Sequence, residues 1–360
     1  QVNQLIAELK PLIQDPGDAT LVVPLIKEYL EIGVKNSDNL IKMAAICQRL
    51  MAKQVEVHDP VMTKEGDTYY VFSTGMGITY YESKDMKNWQ LTGRVFKDEP
   101  SWAKRVASDF GGHLWAPDVY QKDGKFYLYY SVSAFGKNTS AIGVTVNETL
   151  DPKSPDYKWI DHGIVIQSVP ERDNWNAIDP AIVEDDNGTP WMSFGSFWGG
   201  LKLVKLDDDM VRLAQPQEWH SISARPNTEH GPVEAPYIFK KNGYYYLFVS
   251  FDKCCQGLDS TYNVRVGRSK NVEGPYLDKE GRDLNNGGGS LVIEGNKDWV
   301  ALGHNAAYTF DGKDYLVLHA YETADNGLQK LRILPMTWDD NWPVVDSKDL
   351  NKRTTKLIEK

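Results

Sequence analysis

Two patterns of hydrophobic positions divide the chain. From Gln1 to about Lys53 apolar residues recur at three- and four-residue spacing: Leu5, Ile6, Leu9, Leu12 and Ile13, then Val23, Leu25, Ile26, Tyr29, Leu30 and Ile32. That spacing lines one face of an amphipathic helix. Asp15-Pro16-Gly17-Asp18 interrupts the first segment, and Ser37-Asp38 suits the cap of a third that runs from Ile41 to Met51. Residues 1–53 therefore read as a small α-helical extension. After Val55 this period gives way to short aromatic and β-branched runs separated by Gly, Asp, Asn and Lys, the pattern of strands and turns.

Five of these runs share one form: DTYYVFST from Asp67, GKFYLYYS from Gly124, TPWMSFGS from Thr189, GYYYLFVS from Gly243 and KDYLVLHA from Lys313. Each follows a glycine-containing turn (Glu65-Gly66, Asp123-Gly124, Asn187-Gly188, Asn242-Gly243, Asp311-Gly312), which marks a hairpin. Upstream of each lies a second shared element: HDPVM, WAPDV, IDPAI, EAPYI and HNAAY. Aligned on Pro60, Pro117, Pro180, Pro236 and Ala306, the units are roughly 60 residues apart, enough for four strands each. The fold predicted for residues 54–360 is thus all-β, a five-bladed β-propeller. A pair of β-sandwiches would leave the repeated hairpin form without a reason.

In a propeller the innermost strands aim their ends at a central axis. Proline lacks an amide donor and favours an extended preceding residue, so Pro60 suits the first position of a strand and holds Asp59 just outside it. Asp59 and its counterparts Trp115, Asp179, Glu234 and His304 should then converge on one cavity.

Charge and composition narrow what that cavity can take. The formal net charge is -10, with no basic field to gather phosphates, which excludes nucleic acid and anionic membrane as partners. No apolar run approaches the roughly 18 to 20 residues that cross a bilayer, so no membrane span is expected. Aromatic residues make up 11% of the chain, including 11 Trp and 19 Tyr, which points to β structure or to a ligand that stacks, and with this charge a neutral ligand fits better. Three cysteines make no disulfide framework. The adjacent Cys254 and Cys255 read as buried thiols or a vicinal disulfide sooner than as a metal site. Asn138-Thr139-Ser140 and Asn147-Glu148-Thr149 fit the glycosylation sequon.

The three carboxylates Asp59, Asp179 and Glu234 supply the chemistry. Two carboxyl groups flanking a sugar ring hydrolyse a glycosidic bond, one protonating the leaving oxygen while the other activates water or attacks carbon. A third anion nearby raises the acid's pKa by like-charge repulsion. Trp115 offers a stacking face and His58 a polar wall. Asp118 follows its proline and reads as structural. A lone Asp-Pro is ordinarily a strand cap, but three acids at matched positions of three repeats favour catalysis. A non-catalytic carbohydrate-binding propeller is the alternative, and it has no use for such acids.

Longer segments carry a family resemblance: HLWAPDV at His113, YYSVSAFGKNTSAIGV at Tyr129, NAIDP at Asn176, SFGSFWGG at Ser193, FVSFDKCCQGLDSTYNVRVGRS at Phe248 and GHNA at Gly303. Over about residues 55 to 345 the chain resembles glycoside hydrolase family 43, and within it the endo-α-1,5-L-arabinanases. The resemblance implies inverting cleavage of the α-1,5-linked L-arabinofuranose chains of arabinan, with Asp59 as general base, Glu234 as general acid and Asp179 tuning and orienting the acid. It further implies sugar contacts from Trp115, Phe135, Gly136, Asn176, Ser196, Phe197 and Trp198. A calcium ion near the axis, held by His304 and water, is also implied. Exo-acting arabinofuranosidases and xylosidases share the propeller, and loops near residues 98–113 and 254–262 would separate them from endo enzymes. Trp102, Trp175 and Trp219 are further candidates for lining a groove. A polysaccharide substrate goes with a secreted or periplasmic location.

Overall fold

The run Tyr69-Tyr70-Val71-Phe72 is apolar at every position, so it cannot be a strand with one wet face. In the computed structural model it is the second strand of a blade, Thr68–Ser73, buried on both sides. Side chains alternate across a strand. Tyr70 and Phe72 accordingly pack toward Leu114, Phe126 and Leu128 of the next blade, while Tyr69 and Val71 pack toward Val317 and Leu331 of the last. The same division holds for Tyr245, Leu247 and Val249 against Tyr246 and Phe248. Each seam between blades is thus a slice of core.

The structure describes residues 54–357, together with 23, 24, 26 and 27. Apart from those four, which are helical, the extension expected over 1–53 lies outside the described residues. Blade one comprises Val61–Glu65, Thr68–Ser73, Thr79–Ser83 and Asn88–Arg94. Blade two comprises His113–Lys122, Lys125–Val132, Ser140–Asn147 and Ile160–Ser168, and blade three Ala181–Glu184, Pro190–Phe194, Leu201–Lys205 and Trp219–Ser223. Blade four is built from Val233–Lys241, Tyr244–Phe251, Asn263–Ser269 and Ser290–Glu294, blade five from Trp299–Phe310, Lys313–Glu322, Leu328–Asp339 and Trp342–Val345. Each is an antiparallel sheet in chain order. The innermost strands touch one another in sequence and the fifth returns to the first. This is the expected five-bladed β-propeller.

Closure is reinforced at the chain's end. Thr355–Lys356 adds a parallel strand outside blade one, against Asn88 and Trp89. In blades two, four and five the inner hairpin turns on two residues, Asp123-Gly124, Asn242-Gly243 and Asp311-Gly312, all with positive φ. That is the turn whose twist matches paired strands. Blade three departs from it, since Glu184 pairs with Pro190 across a longer connection.

Candidate active site

At or within the axial part of each innermost strand one non-glycine residue adopts a left-handed backbone: Asp59, Ala116, Asp179, Ala235 and His304, with φ of 51, 45, 59, 53 and 49°. Four precede the aligned prolines directly. In blade five Asn305, not Ala306, stands where the prolines stand. The alignment on the prolines therefore holds in blades one to four and shifts by one in blade five; within it Trp115 and Glu234 precede the left-handed residue, whereas Asp59, Asp179 and His304 are that residue. Register breaks after Trp115, Glu234 and Gly303 each leave one extra residue in the inner strand beside the left-handed one.

A left-handed residue cannot pair its N–H within the strand ladder, and a buried N–H must find an acceptor. Here the preceding blade provides it every time. Ala116 donates to Oγ1 of Thr74 at 2.7 Å, Asp179 to Oγ of Ser131 at 3.2 Å, and His304 to Oγ of Ser250 at 2.8 Å. Ala235 donates to Oδ2 of Asp179 at 3.1 Å, and Asp59 to Nδ1 of His319 at 3.1 Å. The result is a five-membered ring of anchors around the axis. Sequence reasoning missed Thr74, Ser131, Ser250 and His319, although each lies at the end of one of the repeated aromatic runs.

Above this ring lies a cavity of about 470 Å³. Its walls include His58, Asp59, Trp115, Phe135, Gly136, Asn176, Asp179, Ser196, Phe197, Trp198, Glu234 and His304, so the carboxyls, the sugar-contact candidates and the candidate metal ligand expected from the sequence meet here. Thr74, Lys137, Cys254, Cys255 and Tyr262 join them. Phe135 is 78% exposed and Trp198 42%, leaving apolar ring faces free at the mouth. Trp102, Trp175 and Trp219 are not part of the wall. Trp102 is buried, stacks on Tyr130 and donates to Asp161, while Trp175 packs on Phe194 and Trp219.

The three carboxyls are all buried, yet their surroundings differ. Oδ2 of Asp59 accepts from Thr74 at 2.5 Å and lies 3.0 Å from Nδ1 of His58. Its Oδ1 lies 3.0 Å from Nδ1 of His304. Burial opposes the charge on Asp59, but His304 and His58, then His319, outweigh it and hold the carboxyl ionised far below its usual range. Burial lowers the pKa of His304 and of His319. On His58 burial is offset by Asp59 and Glu234, and its pKa is raised.

Glu234 has the opposite balance. Burial pushes its pKa up to about 7, the Ser196 hydroxyl pulls it down, and the charge of Asp59 pushes it up again. Ser196 Oγ donates to its Oε2 at 2.5 Å. Asp179 is raised well above the usual range by burial, then by Glu234 and Asp59. One carboxylate that stays charged thus faces two carboxyls that keep protons near neutral pH, the separation that acid–base catalysis needs. Asp118 stands apart: buried, it accepts the N–H of Ile182 at 2.8 Å, and burial lifts it to about 7. It ties blade two to blade three.

Metal-binding potential is limited. Among the described residues the groups with suitable spacing are His58, Asp59 and His319, and His58 with the two cysteines. The cysteines are joined to each other as a disulfide and offer no thiolate. Calcium favours several oxygen ligands, and the first group supplies a single carboxylate. The protein alone makes no calcium cage, and an ion beside His304 would take its oxygens from water. Both sequon asparagines are buried: Asn138 donates to the carbonyls of Asp173 and Trp175, and Asn147 accepts from Glu148 and Lys158. Neither is available for a glycan. No helix among the described residues is long and apolar enough to cross a membrane.

Known proteins share this chain's sequence and fold. An extracellular exo-α-(1→5)-L-arabinofuranosidase of Cellvibrio japonicus is 65% identical over 327 residues, 88% of this chain and 94% of the relative. An extracellular endo-α-(1→5)-L-arabinanase of Bacillus subtilis is 43% identical over 291 residues, 80% of this chain and 87% of that one. The solved structure of Cellvibrio cellulosa α-L-arabinanase complexed with arabinohexaose superposes with a TM-score of 0.83 at 65% identity, covering 85% of this chain and 100% of the other. Residues 52–343 match the glycosyl hydrolases family 43, and with four-fifths of its length in that match the chain belongs to this family.

Proposed function

We propose that this glycoside hydrolase cleaves α-1,5-linked L-arabinofuranose chains with inversion, acting from a chain end. The observation that carries the reading is the meeting of Asp59, Asp179 and Glu234 on one cavity with opposed proton affinities. Asp59, ionised, takes a proton from a water whose oxygen attacks the anomeric carbon. Glu234 gives its proton to the departing glycosidic oxygen as that bond breaks. Asp179 holds the N–H of Ala235 and so fixes the backbone next to Glu234. Phe135, Phe197, Trp198 and Trp115 suit the apolar faces of furanose rings, and Asn176 and Ser196 offer polar contacts.

The arabinan assignment rests on the relatives' names, which describe enzymes of arabinofuranose chains. Chain-end action follows the relative at 65% identity, named exo-acting, over the one at 43%, named endo-acting. It also suits the loops. The segment holding Cys254 and Cys255 reaches His58 on blade one, and the 98–113 loop is tied by an ion pair from Asp109 to Lys137 of the cavity wall. A calcium ion would be held by His304 and water, and when bound it would add positive charge beside Asp59. The names of both relatives include the word extracellular, which supports a secreted protein.

Product sizes from early digestion of debranched arabinan test this. A single short product from the outset supports chain-end attack; a ladder of oligomers supports internal cutting. No sugar release at all would refute the substrate.

A further inference from the structure

One piece of chemistry in the cavity wall is unused by the hydrolytic scheme: the disulfide between neighbouring residues Cys254 and Cys255. It sits on the connection between Phe251 and Asn263 of blade four. This connection leaves its own blade, passes over the inner end of blade five and ends against blade one. Thr261 donates to the carbonyl of Lys253 at 2.8 Å, which closes the base of the strap. The N–H of Cys255 donates to Oη of Tyr321 in blade five at 2.9 Å. Gly327 seats the strap from beneath, for a Cβ there would stand 2.8 Å from the backbone of Gly257 and Leu258. At the far end Sγ of Cys255 lies 3.6 Å from Nε2 of His58.

The two sulfurs have different surroundings. Cys254 packs on Tyr262, Ala301 and Tyr321. Cys255 is exposed to the cavity and its backbone is left-handed, φ 67°. A non-glycine residue keeps that conformation only where its surroundings enforce it. Here the enforcing contacts are the bond to Cys254 and the hydrogen bond to Tyr321. A disulfide has no N–H or O–H to satisfy and is polarizable, which suits the C–H face of a sugar as thioether sulfur suits apolar and ring surfaces.

We propose that the Cys254–Cys255 disulfide is a sugar-contacting wall of the cavity and the clasp that holds the blade-four strap against His58, setting how tightly a furanose chain is gripped. The identity of the sugar rests on the function proposed above; the wall itself does not. A dithiol such as dithiothreitol would open it, supplying two electrons and two protons: the sulfur–sulfur bond breaks to two thiols, and the reagent closes to its cyclic disulfide. The thiols then part, Cys255 leaves its left-handed conformation, and His58 loses its neighbour.

Thiol titration of the unfolded protein should find one thiol without reductant and three after reduction, given three cysteines in all. Steady-state rates on linear arabinan are then compared for untreated, reduced and reoxidised enzyme and for C254S/C255S. Reduction is expected to raise KM about five- to twentyfold while kcat changes less than about threefold, a loss of binding shared by ground and transition state. Reoxidation should restore KM, and the double variant should match the reduced enzyme and ignore dithiothreitol. An unchanged KM in enzyme shown to carry three thiols overturns the proposal, as do three thiols before reduction. Should the double variant lose cooperative unfolding, the reduced natural protein decides alone. If untreated enzyme releases nothing from arabinan the substrate reading fails instead, and calorimetric affinity for arabino-oligosaccharides, before and after reduction, judges the wall: no change overturns it.

Discussion

The N–H of Asp59 donates to Nδ1 of His319, 3.1 Å away, across the seam where blade five meets blade one. The same contact closes the ring of anchors and seats the proposed base. With Nδ1 accepting, a neutral ring carries its proton on Nε2; His319 is wholly buried, and that atom has no hydrogen-bond partner among the described residues. The ring also stacks on His58 at 4.3 Å.

Replacing His319 with Leu should leave the amide of Asp59 without an acceptor, which costs about 1–3 kcal/mol for a buried group. It should also loosen a carboxylate whose placement sets the attack of water, lowering kcat by about 10- to 100-fold with a smaller change in KM. His319→Asn keeps an acceptor oxygen and should recover part of kcat. Equal losses in Leu and Asn, or a KM effect alone, would count against a positioning role.

A pH profile should be one-sided. The acid must carry its proton, and Glu234 loses it near pH 7, so kcat/KM should fall as pH rises through about 7. Asp59 is ionised far below the usual carboxylate range, so protonation of the base should produce no acid limb around pH 4. Because Glu234 and Asp179 are neighbours, the observed value belongs to the pair. A rate still flat at pH 9 would remove Glu234 from the acid's role.

The raised pKa of Glu234 also bears on stability. A carboxyl whose folded pKa lies above its unfolded value contributes stability at low pH, lost as pH rises through the folded value. For Glu234 the window runs from its ordinary 4.5 to about 7. Glu234→Gln cannot ionise, so it should be inactive yet more stable than the natural protein at pH 8.5, on the order of 3 kcal/mol, with little difference at pH 4. Urea midpoints at both pH values measure this, and an equal offset at both would contradict the burial argument.

Much of this was legible in the chain because a propeller repeats itself. Tyr69 to Phe72 advertises a strand buried on both faces, and Pro60, Pro117, Pro180 and Pro236 mark the inner strands. The register at the axis was not legible. Asp59-Pro60 and Glu234-Ala235-Pro236 look like versions of one motif, but the residue before the proline is the left-handed one in both, so Ala235 matches Asp59 and Glu234 comes one residue earlier. No hydrophobic pattern records which residue turns left-handed, and in blade five no proline marks the place. The anchors hid for a different reason. Thr74, Ser131 and Ser250 are hydroxyls at the ends of aromatic runs, whereas Asp179 and His319 do the same task with other chemistry, so composition gives no common signal. Trp102 illustrates the reverse: a large aromatic residue suits a groove on paper, but this indole is buried against Tyr130, with its N–H reaching the Asp161 carboxylate at the edge of the core.

Asp179 poses the sharpest test, because charge and geometry assign it different work. As a charged neighbour it would hold the proton on Glu234 by repulsion. Its own carboxyl is pushed well above the usual range by burial, Glu234 and Asp59, so near neutral pH it holds a proton and has little charge with which to repel. What it visibly does is accept the N–H of Ala235. Asn is nearly isosteric with a protonated Asp and keeps an acceptor oxygen, while Ala removes it. Asp179→Ala should therefore lower kcat by about 100-fold or more, and Asp179→Asn should retain most of what Ala loses, with the basic limb of the pH profile near its original place. Should Asn be as damaged as Ala, and its limb move to lower pH, the carboxylate charge is the working part and the backbone contact is incidental.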